Sequence, residues 1–208
     1  MNLVLTGIDS ALTEAWHKYC GDLPFVTIHS GSILDVACDA VVSPANSFGF
    51  MDGGIDAHYS RVFGRDVETR LRKLIRERHH GELLVGEAEI VETGRLEIPY
   101  LIAAPTMRVP MVLKESVNPY LAARAVLILL KHRMFADGCP VSDSVHTVAF
   151  PGLGTGIGRV APDTCARQLR AAIDAILLDT MPNPETWTEA ENTHLALLGA
   201  SFRDMQQD

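Results

Sequence analysis

Glycine stands at every other position in Gly152-Leu153-Gly154-Thr155-Gly156-Ile157-Gly158, a pattern that lets backbone N–H groups converge on an anion. The chemistry it suggests is phosphate binding. The stretch lacks the Lys-Ser or Lys-Thr of a nucleoside-triphosphate loop, and its spacing is not G-x-G-x-x-G, which disfavours a triphosphatase and a dinucleotide-dependent dehydrogenase. A tight strand-to-helix turn without a ligand would use the same glycines. A second candidate loop, Ser43-Pro44-Ala45-Asn46-Ser47-Phe48-Gly49-Phe50-Met51-Asp52-Gly53-Gly54-Ile55-Asp56, brings Asn46, Asp52 and Asp56 beside a glycine pair. Its spacing completes no catalytic set. Read alone, Asn46 is equally a turn former and Asp56 equally a helix N-cap.

Both loops follow apolar runs short enough to be strands. Such runs recur at Leu3–Leu5, Phe25–Ile28, Ala40–Val42, Glu87–Val91, Tyr100–Ala103 and His146–Phe150. Helical periodicity lies between several of them: Asp9 or Ser10 caps a helix running towards Cys20, Val117–Phe135 forms another, and Pro162-Asp163 opens a third. Strands alternating with helices predict an α/β fold, a three-layer α/β/α sandwich around a mixed, largely parallel sheet. Ligands of such sheets bind outside the carboxyl ends of the strands, where both loops begin. The 208 residues are read as one domain, with 182–208 a C-terminal extension in which Ser201–Asp208 is a polar tail. Within it, His194–Gly199 is either an edge strand or a short helix.

Composition narrows the function. With 18 Lys and Arg against 26 Asp and Glu, the net charge is -8, which argues against a general nucleic-acid binder. The stretch Arg61–Arg78 carries seven basic and three acidic residues and reads as one helix with a solvated face. The longest apolar run, Ala125–Leu130, has six residues where a bilayer span needs about 20, and the N-terminus lacks a basic leader, so a cytoplasmic location is expected. Cys20, Cys38, Cys139 and Cys165 are widely spaced and read as reduced core cysteines. His79-His80 diverge on a helix and read as a solvated helix end rather than a metal pair. No motif requires a metal or a cofactor.

From Gly31 to Gly64 the chain resembles the macrodomain family, the ADP-ribose-binding module. The family pattern of Gly-Asp-Ile, Asp-Ala-Ile-Val-Asn-Ala-Ala-Asn-Ser and a glycine run closed by Val-Asp is matched by Gly31-Ser32-Ile33, Asp39-Ala40-Val41-Val42-Ser43-Pro44-Ala45-Asn46-Ser47 and Asp52-Gly53-Gly54-Ile55-Asp56. Gly86-Glu87-Ala88 with Tyr100-Leu101-Ile102 resembles its central strand pair, and Pro151–Ile157 its phosphate loop. The resemblance implies ADP-ribose, or an ADP-ribosylated substrate, lying across the strand ends. Ligand contacts are then expected at Ser32, Ile33, Gly53, Gly54 and Ile55, and at Gly152, Gly154, Thr155, Gly156, Ile157, Gly158 and Arg159. It also implies catalytic roles: Asn46 bonds the distal ribose, and Asp56 orients or activates water that removes a mono-ADP-ribosyl group. The other class of function it allows is a non-catalytic reader of ADP-ribose or a related nucleotide metabolite.

The chain departs from the family at several points. Ser32 replaces the aspartate that reads the adenine amino group, Gly158 stands where an aromatic residue often packs, and Arg159-Val160 replaces a Gly-aromatic pair. The second loop is therefore expected to be more open, with Arg159 available to a phosphate. Asp52 replaces a glycine and would raise one carboxyl pKa if it shared a pocket with Asp56. Ala103–Arg108 lacks the family's usual histidine.

Overall fold

All six apolar runs form strands in the computed structural model, which describes residues 1–181 and 183–199. In chain order the elements are β1 (Asn2–Gly7), α1 (Ser10–Cys20), β2 (Val26–Ser30), β3 (Ala40–Ser43), α2 (Gly54–Phe63), α3 (Asp66–Arg78), β4 (Glu89–Glu92), β5 (Tyr100–Ala103), α4 (Asn118–His132), β6 (Thr147–Phe150), α5 (Pro162–Ile176) and α6 (Trp187–Leu198). One sheet runs β2-β1-β6-β3-β5-β4. Its pairings are parallel except that of β4 with β5.

Strand side chains alternate between two cores. Leu3, Leu5, Ala40, Val42, Ile102, Val148 and Phe150 face α1, α4 and α5, while Val4, Val41, Leu101, Ala103 and Ala149 face α2 and α3. This is the expected three-layer sandwich. The helices show matching stripes: α3 buries Val67, Leu71 and Ile75, and α5 buries Cys165, Leu169, Ala172 and Ile173, spacings of one helical face. Trp16 of α1 is wholly buried, and its Nε1–H donates to the Thr6 carbonyl at 3.2 Å. Asp9 caps α1 by accepting the Leu12 N–H at 2.8 Å.

β6 enters the middle of the sheet beside β3, and one carboxylate fixes that junction. Asp39 Oδ2 accepts the N–H groups of His146 and Thr147, each at 2.8 Å, as β3 and β6 begin. The pairs Ala40–Val148 and Val41–Ala149 then set the register. Ser43 and Pro151 consequently leave the sheet side by side.

Several expectations need correction. Arg61–Arg78 is not one helix, because Gly64 at φ 88° ends α2 and α3 starts afresh at Asp66. Its basic face is also not wholly solvated, since Arg70 donates to the Glu92 carbonyl at 2.9 Å. His79 is no free helix end: its Nε2 lies 2.9 Å from buried Glu89 and its Nδ1 3.2 Å from Glu87. Cys20, Cys38 and Cys165 are buried free thiols, but Cys139 is exposed. His194–Gly199 is the end of α6, which starts at a capping box formed by Thr186 and Glu189. α6 packs on α5, where Arg167 and Gln168 donate to the Leu197 carbonyl. The tail Ser201–Asp208 lies outside the described residues. No helix among the described residues is long and apolar enough to cross a membrane.

Glu89 is 1% exposed and accepts from Arg78, His79 and Arg133 at 3.4, 2.9 and 3.1 Å, joining α3, β4 and the end of α4. Because Arg78 and Arg133 remain partly in water, Glu89→Ala is expected to cost about 2 kcal/mol, below the figure for a fully buried pair. Urea denaturation of the two proteins checks it.

Candidate functional site

The carboxyl ends of β2, β1, β6 and β3 stand in that order along the sheet. Three strand spacings separate β2 from β3, about 14 Å. Ser32 follows β2, the glycine loop follows β6, and the Asn46–Asp56 loop follows β3. The arrangement suits an elongated ligand with its anionic part in the middle.

The loop after β6 keeps its backbone donors free. The Thr155 hydroxyl and the Val160 N–H close it internally, onto the carbonyls of Gly152 at 3.1 Å and Gly154 at 3.1 Å. Arg159 N–H donates to the Gly156 carbonyl at 3.1 Å. The N–H groups of Gly156, Ile157 and Gly158 have no acceptor among the described residues. Gly154 has φ 73°, and a Cβ on Gly158 would lie 2.5 Å from the Gly154 carbonyl oxygen. These positions need glycine for the loop to close at all. Arg159 sits at φ 53°, an uncommon conformation for a side-chain-bearing residue. Its exposed guanidinium has no partner among the described residues.

The loop after β3 is held by its own asparagine. Asn46 Oδ1 accepts the N–H groups of Phe48 and Phe50 at 3.1 and 3.3 Å, and Nδ2 donates to the Phe50 carbonyl at 2.8 Å. Its carboxamide is engaged in the turn. Gly49, at φ 70°, lets this turn lie against Leu71, Arg72 and Ile75 of α3. Gly53 caps α2, Gly54 has φ 54°, and both have open space where a Cβ would stand. Ile55 packs on the α2–α3 core.

Asp56 is not the N-cap but lies in the first turn of α2, and its side chain turns inward. It is 7% exposed, and the Ser43 hydroxyl donates to its Oδ1 at 2.6 Å. Burial pushes its carboxyl up to about 7, opposed by that one hydrogen bond. Asp52 is exposed and is not among the causes, so the raised value comes from burial and not from a carboxylate pair. One turn on, Tyr59 is wholly buried, its hydroxyl donating to the Val42 carbonyl at 3.1 Å.

At the opposite flank, Ser32 caps a 3-10 turn, Ile33–Asp35, by accepting the Leu34 N–H at 3.2 Å. Ile33 points its side chain into the core at 5% exposure. Asp35 is exposed.

A further wall has no signature in the residue pattern. Residues 107–113 run between the two loops: Met107 bridges Asn46, Ser47 N–H donates to the Arg108 carbonyl at 3.2 Å, and Leu113 N–H donates to the Gly158 carbonyl at 2.7 Å. Gly158 is therefore buried beside Leu113 rather than left open by its missing side chain. The wall presents Val109, Met111 and Val112 to solvent. Arg108, paired with Glu82 at 2.6 and 2.9 Å, stacks over Phe48 with 5.1 Å to the ring centroid. Ser43, the first residue of the Ser43–Asp56 segment, carries no signature of its pairing with Asp56, because a lone serine at a strand end has no diagnostic spacing.

A mixed sheet between helices thus carries, at adjacent strand ends, a glycine loop with free backbone N–H groups and a buried carboxyl. Residues 42–169 match the Macro domain family. An uncharacterized protein of Aquifex aeolicus is 32% identical over 144 residues, covering 69% of this chain and 78% of its own. The chain belongs to the macro domain family. Among solved structures, the macrodomain of Mycobacterium tuberculosis DarG superposes with a TM-score of 0.58 at 22% identity, over 72% of this chain and 90% of that one. An Oceanobacillus iheyensis macrodomain mutant solved with ADPR gives 0.57 at 17% identity, over 74% and 77%. These two likenesses concern the fold.

The raised Asp56 value has a signed consequence for stability. The folded carboxyl holds its proton to about pH 7, whereas an unfolded one releases it near 3.8, so the fold loses stability as pH rises through that window. The loss approaches about 4 kcal/mol at most. Asp56→Asn is expected to remove this slope and to exceed the parent in stability above pH 7, measured by urea denaturation at pH 5, 6, 7 and 8.

Proposed function

We propose that the chain binds ADP-ribose or a close relative across these strand ends and hydrolyses a mono-ADP-ribosyl bond. The observation that carries this reading is Asp56: a carboxyl buried at the end of β3, hydrogen-bonded by Ser43 at 2.6 Å and raised to about 7. A carboxylate kept there at a cost in stability is characteristic of a group retained for chemistry. The family membership and the likeness to a macrodomain solved with ADPR support the ligand. In this reading residues 1–208 form one macrodomain-like domain, with 182–208 its extension.

The diphosphate lies on the N–H groups of Gly156, Ile157 and Gly158, within the frame made by Gly152, Gly154 and Thr155, and Arg159 reaches a phosphate oxygen. The base end lies at Ser32 and Ile33. The distal ribose lies against Asn46, Gly53, Gly54 and Ile55. Asp56 orients a water molecule and takes its proton as the water oxygen bonds to the anomeric carbon. The bond from that carbon to the acceptor breaks, the acceptor leaves with the electron pair, and the proton passes to it or to solvent. Backbone donors neutralise the diphosphate, which explains how a protein of charge -8 holds an anion.

A second reading is a reader without turnover. It is favoured by the Asn46 carboxamide, already engaged with Phe48 and Phe50, and by Ser32, a hydroxyl in place of a carboxylate. Calorimetric titration with ADP-ribose, with AMP and ribose phosphate as controls, tests binding. Micromolar affinity is expected, and Gly158→Ala is expected to weaken it about tenfold or more, because the new Cβ meets the Gly154 carbonyl. Asp56→Ala is expected to abolish turnover of an ADP-ribosyl ester with affinity largely kept. Loss of binding and turnover together would favour a structural Asp56, and a parent protein that binds without turnover is the reader.

A further inference from the structure

We propose that Ser43 is the positioning residue of this site: its hydroxyl fixes the Asp56 carboxylate in the orientation from which it acts on water. The inference rests on the reading of Asp56 given above. It adds a residue that acts without touching the substrate.

Ser43 is the last residue of β3 and is wholly buried. Its backbone is pinned on the β5 side, where it pairs with Ala103 and its carbonyl accepts the Ala104 N–H at 2.9 Å. By strand alternation it shares a face with Val41, the face that packs on α2. The donor is thus fixed to the rigid sheet, while Asp56 comes from the first turn of a helix behind a glycine pair. At 2.6 Å the contact is a short hydrogen bond between a hydroxyl and a carboxyl oxygen.

The other groups near Asp56 do not do this work. Tyr59, one turn along α2, gives its hydroxyl to the Val42 carbonyl. His58 and Asp52 are exposed. No Lys, Arg or His among the described residues forms an ion pair with Asp56. Burial therefore favours the protonated acid, which cannot accept a proton from water, and the Ser43 hydroxyl opposes it.

The test uses the full chain, an ADP-ribosyl ester as substrate, and Ser43→Ala, which deletes one oxygen. Two measurements run in parallel: the pH profile of kcat and KM, and the titration of the Asp56 carboxyl carbon by 13C NMR, assigned with Asp56→Asn. A hydrogen bond to a charged group corresponds to about one pH unit or more. In Ser43→Ala the Asp56 midpoint and the acid limb of kcat are both expected to move up by that amount. Below pH 7 kcat falls about tenfold while KM is unchanged. In the Asp56→Asn background, Ser43→Ala should leave ADP-ribose affinity as it was. An unmoved carboxyl midpoint and unmoved acid limb overturn the proposal, including when the variant only melts at a lower temperature. A shifted midpoint in a protein with no turnover at any pH supports the Ser43 hold and overturns the hydrolase reading, so the two fail separately.

Discussion

The parallel pairing of β6 with β1 on one side and β3 on the other is the constraint from which the site follows. β6 arrives last in sequence yet sits in the centre of the sheet, so its loop emerges among segments made far earlier in the chain. Asp39 enforces the junction by taking two N–H groups of the incoming strand. Parallel strands expose their carboxyl ends on one side, and nothing more is needed to set the glycine-rich loop beside a buried carboxyl. The helices then cover both faces of the sheet.

The interior shows two ways of keeping a charged group out of water. Glu89 accepts from Arg78, His79 and Arg133 at the ends of two helices, and its charge is compensated in place. Asp56 has no ion-pair partner among the described residues, only a hydroxyl. Compensation of the first kind makes a brace, whereas incomplete compensation of the second kind leaves a group whose proton is held loosely near neutrality. The contrast, within one domain, separates a carboxylate that holds elements together from one suited to chemistry.

Much of this was legible from residue order. Runs such as Tyr100–Ala103 and His146–Phe150 had to be strands because they are short, apolar and flanked by turn formers, and the glycine alternation after Phe150 pointed to a tight loop with its backbone exposed. Boundaries set by a single residue were harder: the break at Gly64 was hidden by basic residues on both sides, and the Thr186-Glu189 box that starts α6 was obscured by the prolines before it. The inward turn of Asp56 was not readable, since a carboxylate in a first helical turn is ordinarily solvated. Nor was residues 107–113, whose apolar residues have neither helical nor strand period and acquire their meaning only from the loops they touch.

That connecting segment links the two halves of the site through main-chain contacts. Its start is tied to Asn46 and Ser47 and its end to Gly158, so neither loop can shift far without pulling on the other. The side chains between these anchors, Val109, Met111 and Val112, contribute little to the tie and project outward. The segment thus has a fixed frame and an interchangeable lining: its two ends are held by main-chain contacts, whereas Val109, Met111 and Val112 can be altered, residue by residue, without loosening either loop.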